Sequence, residues 1–169
     1  MKNIEIKARA ADLGAVRERL AQQGLAPVAL LRQVDTYFNV ARGRLKLREI
    51  DGEEAQLIQY HRPDQAEAHA SDYVIAPIAH PAALKEALTR ALGIRTVVEK
   101  WREVYLWDHT RVHLDEVAGL GSFLELETVI TEQTEDEAER ECREVQTALR
   151  IEDEDLVVGS YADLNASHR

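Results

Sequence analysis

The chain has 169 residues, 45% hydrophobic and 31% charged, with a formal net charge of -10. That suits one globular domain with a real core, and no apolar run approaches the ~20 residues of a membrane-spanning helix. The opening MKNIEIKARA lacks the apolar stretch of a signal peptide, and the single cysteine, Cys142, permits no internal disulfide. A cytoplasmic protein with a single domain over 1–169 is therefore expected.

In chain order, Asn3, Glu5, Lys7 and Arg9 alternate with Ile4, Ile6 and Ala8, which predicts a strand over Asn3–Arg9. A helix follows, with Asp12 as N-cap, an apolar stripe of Leu13, Val16 and Leu20, and Gly24 as its stop. Strands are predicted at Asp35–Phe38 and at Arg44–Ile50, where Arg44, Lys46 and Arg48 oppose Leu45 and Leu47. A strand over Gln56–Arg62 and a weaker one around Tyr73–Ala76 precede a helix that opens at Pro81, carries Leu84, Leu88 and Leu92, and closes at Gly93. Next come strands over Val97–Leu106, with Lys100 and Arg102 in phase, and Arg111–Asp115, with Arg111, His113 and Asp115 opposing Val112 and Leu114. The last strand, Phe123–Ile130, sets Glu125 and Glu127 against Leu124 and Leu126. A third helix starts at a Thr134/Glu137 capping box and aligns Ala138, Cys142, Val145 and Leu149, which makes Cys142 a core residue rather than a nucleophile.

Strands joined by short turns, without a βαβ rhythm, favour an antiparallel sheet. Their polar positions are ionisable, of both signs, strand after strand, and fall into a basic set and a carboxylate set. On an ordinary open sheet these would be solvent-facing charges paired across strands. A strongly curved or closed sheet would instead turn them inward around a polar cavity. There a polyphosphate with a divalent cation would compensate both sets, because Lys and Arg neutralise phosphate oxygens while carboxylates recruit a hard metal ion. The charge distribution allows this: Glu132 to Asp155 holds eleven acids and three arginines, net -8, so the rest of the chain is nearly balanced. The overall acidity still argues against nucleic acid as a partner.

The fragments IEIKAR, DTYF at Asp35–Phe38, RLKLRE at Arg44–Glu49 and LDEV…LGSFLELE over Leu114–Glu127 together resemble the CYTH superfamily. That superfamily takes in class IV adenylate cyclases and thiamine triphosphatases, the triphosphate tunnel metalloenzymes. The resemblance spans nearly the whole chain and implies an α+β fold: an eight-stranded antiparallel β-barrel with helices packed outside, acting with Mg²⁺ or Mn²⁺ on a triphosphate-containing small molecule. It also implies a homodimer. Carried over by position, Glu5, Glu125 and Glu127 are metal ligands, and Asp115 helps to hold metal or to position a water. Lys7, Lys46, Arg48, Lys100 and Arg102 bind phosphate, with Arg9 and Arg111 in phase as further candidates. Lys7, Asp115 and Glu127 form the catalytic set.

The chain departs from the family pattern in three places. The family's first N-terminal glutamate is Asn3 here, which offers only a neutral oxygen. A lysine common at the end of the fourth strand is replaced by His61–Arg62, of which Arg62 is taken as the inward cation. Around Ser71–Tyr73 the usual basic and acidic pair is missing. His113 is expected to orient Asp115 or a phosphate rather than to ligate metal, since no second histidine stands at ligand spacing. Trp101 is expected to pack beneath a helix, and Tyr37 in the core.

With no amino-acid nucleophile in view, the protein's work should be positioning and charge stabilisation. Hydrolysis of a triphosphate, organic or inorganic, in which a water aided by Asp115 or Glu127 attacks the terminal phosphorus, requires only the charged lining and comes first. Cyclisation of ATP to cyclic AMP and pyrophosphate needs a base-and-ribose pocket as well and comes second. A non-catalytic binding module, suggested by Asn3, comes third.

Overall fold

The computed structural model describes residues 2–61 and 69–166. Eight antiparallel strands form a closed barrel in the order β1-β5-β4-β3-β2-β6-β7-β8. They are β1 (Lys2–Arg9), β2 (Ala29–Phe38), β3 (Arg44–Ile50), β4 (Glu54–His61), β5 (His69–Pro77), β6 (Ile94–Trp107), β7 (Thr110–Val117) and β8 (Gly121–Val129), with helices α1 (Leu13–Gln22), α2 (Pro81–Leu92), α3 (Glu135–Ala148) and α4 (Tyr161–Ala166). The expected α+β barrel is thus the observed one. Closure gives every described strand a neighbour on both sides.

The helices form where their signals stand. The Asp12 side chain accepts from the Ala15 amide at the start of α1, and Thr134 and Glu137 make the reciprocal capping box of α3. Leu13, Val16 and Leu20 of α1 and Ala138, Cys142 and Val145 of α3 meet Ile4, Ile6, Val112, Leu114, Leu124 and Leu126 from the outer faces of β1, β7 and β8 in the main core. That contact fixes which way the three strands face: with the aliphatic residues held outward under helices, their polar partners must point into the barrel. Leu84, Leu88 and Leu92 of α2 cover Phe38, Leu47 and Ala55 in a smaller cluster.

Several boundaries differ from the sequence reading. The weak strand at Tyr73–Ala76 is the nine-residue β5, which closes the barrel between β1 and β4. The strand expected at Asp35–Phe38 begins at Ala29; its first half has Ala29, Leu31 and Gln33 inward against Leu30 and Arg32 outward, a mixture with no clean alternation. Arg62 lies outside the described residues. Trp101 is not beneath a helix: it stands 50% exposed on the outer wall of β6, opposite Arg32. Helix α4 had no counterpart in the strand-and-helix pattern. No described helix is long and apolar enough to cross a membrane.

Candidate functional site

The barrel encloses a cavity of about 430 Å³ lined from β1 by Asn3, Glu5 and Lys7, from β3 by Lys46 and Arg48, from β6 by Lys100 and Arg102, and from β7 and β8 by Arg111, His113, Glu125 and Glu127. The register explains the meeting of the two charge sets. Glu5 stands opposite Glu127 and Lys7 opposite Glu125, His113 opposite Glu125 and Arg111 opposite Glu127, and Arg102 opposite Asp115.

Around Asp35 the lumen is basic. This carboxylate, 1% exposed, accepts from Arg48 through both oxygens at 2.7 Å and from Lys46 at 2.9 Å, with Lys100 Nζ 3.6 Å away. Burial opposes its ionisation, but Arg48, Lys46 and Lys100 outweigh burial and hold it well below the usual carboxylate range. The cations answer in kind: burial and the neighbouring Arg48 bring Lys46 down to about 8 against the pull of Asp35, and burial and Arg102 bring Lys100 down to about 7. Asp35 was not among the residues singled out from the sequence. Its signal was there, one place before Thr36 and in phase with Tyr37, yet it reads as part of a motif until its three cations are seen.

A second knot centres on Arg102, which donates to both oxygens of Asp115 at 2.7 and 2.6 Å and also to Glu125. Lys7 Nζ lies 2.6 Å from Glu125. Burial would raise Glu125, but Lys7 and Arg102 hold it well below the usual value. Glu127 is lowered too, burial being outweighed chiefly by His113 and Arg102. Asp115 is fully buried, accepts from the Tyr161 hydroxyl at 2.7 Å, and does not line the cavity. Both of its oxygens are engaged, by Arg102 and by Tyr161, so that it aims Arg102. Arg9 also stands apart: it is exposed, with its guanidinium over the Phe123 ring at 5.0 Å and outside the cavity lining.

The C-terminal segment supplies a part that no pattern in the sequence announced. Tyr161, 2% exposed, is inserted among Tyr37, Val98, Val117, Leu120 and Phe123, filling the lumen beside the basic set. Lys7 and Lys100 lie 3.8 and 5.0 Å from its ring centroid, a cation–π arrangement. Tyr37 shares this cluster and also faces the cavity. Asp163 anchors the segment by ion pairs to Arg44 at 2.9 Å and Arg95 at 2.6 Å.

The acidic wall fits a divalent cation. His113, Glu125 and Glu127 bring one ligand atom each to within 4.8 Å of one another, and His113 Nδ1 is 3.8 Å from Glu125 and 3.9 Å from Glu127. Three buried atoms of the lining, Asn3 Oδ1 and His113 Nδ1 beside the acidic wall and Gln33 Oε1 on β2, have no hydrogen-bond partner among the described residues. Buried polar atoms are almost always satisfied, and an N/O donor set beside paired carboxylates is what a divalent ion would satisfy. Of the two partners expected for His113, Asp115 or a phosphate, it does not face Asp115; its ring is turned to Glu125 and Glu127.

The fold and the site together are a closed antiparallel barrel with a basic set and a carboxylate set facing across one lumen. The CYTH domain family matches residues 1–161, and the chain belongs to it. A Methanocaldococcus jannaschii protein named "Putative adenylate cyclase" is 29% identical over 97% of this chain and 98% of its own length. Among solved structures, a Pyrococcus horikoshii protein superposes with a TM-score of 0.87 at 21% identity, over 96% of this chain and 98% of the other. A Hippeastrum structure described as showing a dominant triphosphatase activity superposes with a TM-score of 0.61 at 19% identity, over 88% of each chain.

Proposed function

We propose that this chain hydrolyses the terminal phosphoryl group of a triphosphate with the aid of a divalent cation, Mg²⁺ or Mn²⁺. The observation that carries the reading is the pairing within one lumen of carboxylate-held cations, Lys46, Arg48, Lys100 and Arg102, with the His113–Glu125–Glu127 cluster. Glu5, Glu125, Glu127 and His113 would hold the cation, with Asn3 offering a neutral oxygen in place of the family's first glutamate. A bound cation would neutralise charge at the phosphate oxygens. Lys7, Lys46, Arg48, Lys100 and Arg102 bind and straighten the triphosphate, Arg111 contributes at the edge, and Asp115 with Tyr161 fixes the direction of Arg102. Glu127, held ionised, is the proton acceptor for the attacking water. Catalysis here is positioning plus electrostatic stabilisation, with no covalent intermediate on the protein.

Cyclisation of ATP is the second reading, favoured by the name of the Methanocaldococcus relative. Purified protein incubated with Mg²⁺ or Mn²⁺ and, separately, ATP, thiamine triphosphate and tripolyphosphate separates the two. Phosphate release identifies hydrolysis, and cyclic AMP with pyrophosphate identifies cyclisation. Glu127→Gln or Lys7→Ala abolishes whichever activity is present; full activity in either variant rules out this lumen as the site. Asn3→Glu restores the missing acidic ligand and should tighten Mn²⁺ binding in a calorimetric titration.

A further inference from the structure

A second, smaller cavity of about 260 Å³ lies at the end of the barrel where β2 stops and β3 and β6 begin. Tyr37, Phe38, Asn39 and Leu45 line it together with Arg44 and Arg95, and among the described residues its lining includes no acid. Tyr37 borders the lumen as well. Neither arginine belongs to the lumen lining, and neither has a part in the triphosphate reading. Both reach for one carboxylate. Asp163 Oδ2 accepts from Arg44 Nη2 at 2.9 Å and from the Ser160 amide and hydroxyl at 2.8 and 2.7 Å, while Asp163 Oδ1 accepts from Arg95 Nη2 at 2.6 Å. Asp163 is two residues from Tyr161 on the same six-residue helix, so the arginine contact also helps to hold Tyr161 in the lumen.

We propose that Arg44 and Arg95 form an anion site for inorganic phosphate in which Asp163 is a tethered competitor, and that phosphate binding there releases α4 and draws Tyr161 out of the lumen. A phosphate dianion carries twice the charge of the shared carboxylate and accepts from both planar guanidinium forks at once. The cavity beside the arginines gives it room: about 260 Å³, against ~30 Å³ for one molecule of liquid water. The exchange leaves Asp163 in water, where an ionised carboxylate is fully solvated, so no buried charge is stranded. A group on a short tether competes at an effective concentration on the order of millimolar, so phosphate should displace it in roughly that range. Withdrawal of Tyr161 removes its hydroxyl from Asp115 and its ring from Lys7 and Lys100, which carries the occupancy of this cavity to the lumen. None of this depends on which reaction the lumen carries out.

The test is amide hydrogen exchange over residues 160–166, with calorimetric titration, in sodium phosphate against sodium chloride at the same ionic strength. In the wild type, phosphate should speed exchange in this segment saturably and chloride should not. Asp163→Asn should bind phosphate about tenfold more tightly, because the tethered competitor has lost its charge. Adding Arg95→Gln in that background should remove the gain; the Asp163 ion pairs are missing from both proteins, so a loosened α4 cannot account for the difference. Phosphate affinity no higher in Asp163→Asn than in the wild type, wild-type exchange over 160–166 that ignores phosphate, or a gain that survives Arg95→Gln each overturns the proposal. So does a wild-type response that Lys7→Met abolishes and Arg95→Gln leaves intact, since the phosphate would then act from the lumen. Unchanged near-ultraviolet circular dichroism in the variants separates a lost site from a lost fold.

Discussion

Asp35 answers for three cations at once, and its burial makes that bargain asymmetric. With its carboxylate present, Lys46, Arg48 and Lys100 are tolerated in a closed lumen; without it they repel one another in a low-dielectric space. Asp35→Asn keeps the shape and removes the charge, so it should destabilise the protein by about 3 kcal/mol or more, read as a lowered midpoint in urea with an unchanged slope. Lys100 behaves in the opposite sense. Burial and Arg102 bring it to about 7, below the ordinary lysine value of 10.5, so between those values the unfolded chain binds more protons than the folded one. Its contribution to stability therefore rises with pH across that window, and the cost of keeping it buried is full below it. Lys100→Met should raise the melting temperature most near pH 6 and progressively less towards pH 9. Binding runs the other way: the wild-type advantage over Lys100→Met for a non-hydrolysable ATP analogue should shrink as pH rises from 6 to 9, since Lys100 loses its proton near 7. Comparing the two proteins at each pH cancels the ligand's own ionisation. An advantage that is constant with pH would show that Lys100 does not meet the phosphates.

Elements that carry their own local signals were legible, and elements made by context were not. Strand β1 and helices α1 and α3 could be placed because period and caps agree, and the inward charges followed from the outward aliphatics that the helices cover. Strand β2 was cut short because its first half faces an apolar mouth inside and bears Leu30 and Arg32 outside. Helix α4 was missed because six residues have no period to read; only insertion of Tyr161 into the barrel gives it a place. The same insertion hid the role of Asp115, whose second partner, the Tyr161 hydroxyl, lies 46 residues away, and no spacing rule spans that. Two substitutions divide what the tyrosine does. Tyr161→Phe keeps the ring beside Lys7, Lys100 and Phe123 but leaves the buried Asp115 one donor short, and should cost about 1–2 kcal/mol. Tyr161→Ala empties the end of the lumen and should cost about 3–5 kcal/mol, measured by thermal melts at one pH. Equal losses from the two would mean that the hydroxyl, not the ring, holds α4 in place.

At the scale of the whole barrel, the lumen is held together by ion pairs that a polyanionic ligand would have to take over. Lys7 and Arg102 both engage Glu125. A triphosphate that draws Lys7 and Arg102 to its oxygens strips Glu125 of its partners, leaving a buried carboxylate uncompensated; a cation on Glu125 and Glu127 repels the same arginine and lysine unless phosphate is present to hold them. Each half of the ligand thus removes the penalty created by the other, so metal and triphosphate should bind with positive coupling, equal in both directions. A coupling of about 1–3 kcal/mol, or roughly 5–150-fold in affinity, is the usual scale for such linkage. Calorimetric affinity for a non-hydrolysable ATP analogue, measured with and without saturating Mn²⁺ and corrected for the metal–nucleotide complex formed in solution, gives the coupling directly. It should collapse in Glu125→Gln, where phosphate binding no longer exposes a charge, while the metal-free affinity stays the same or rises. Undiminished coupling in that variant would place the cation elsewhere than on the β7–β8 wall.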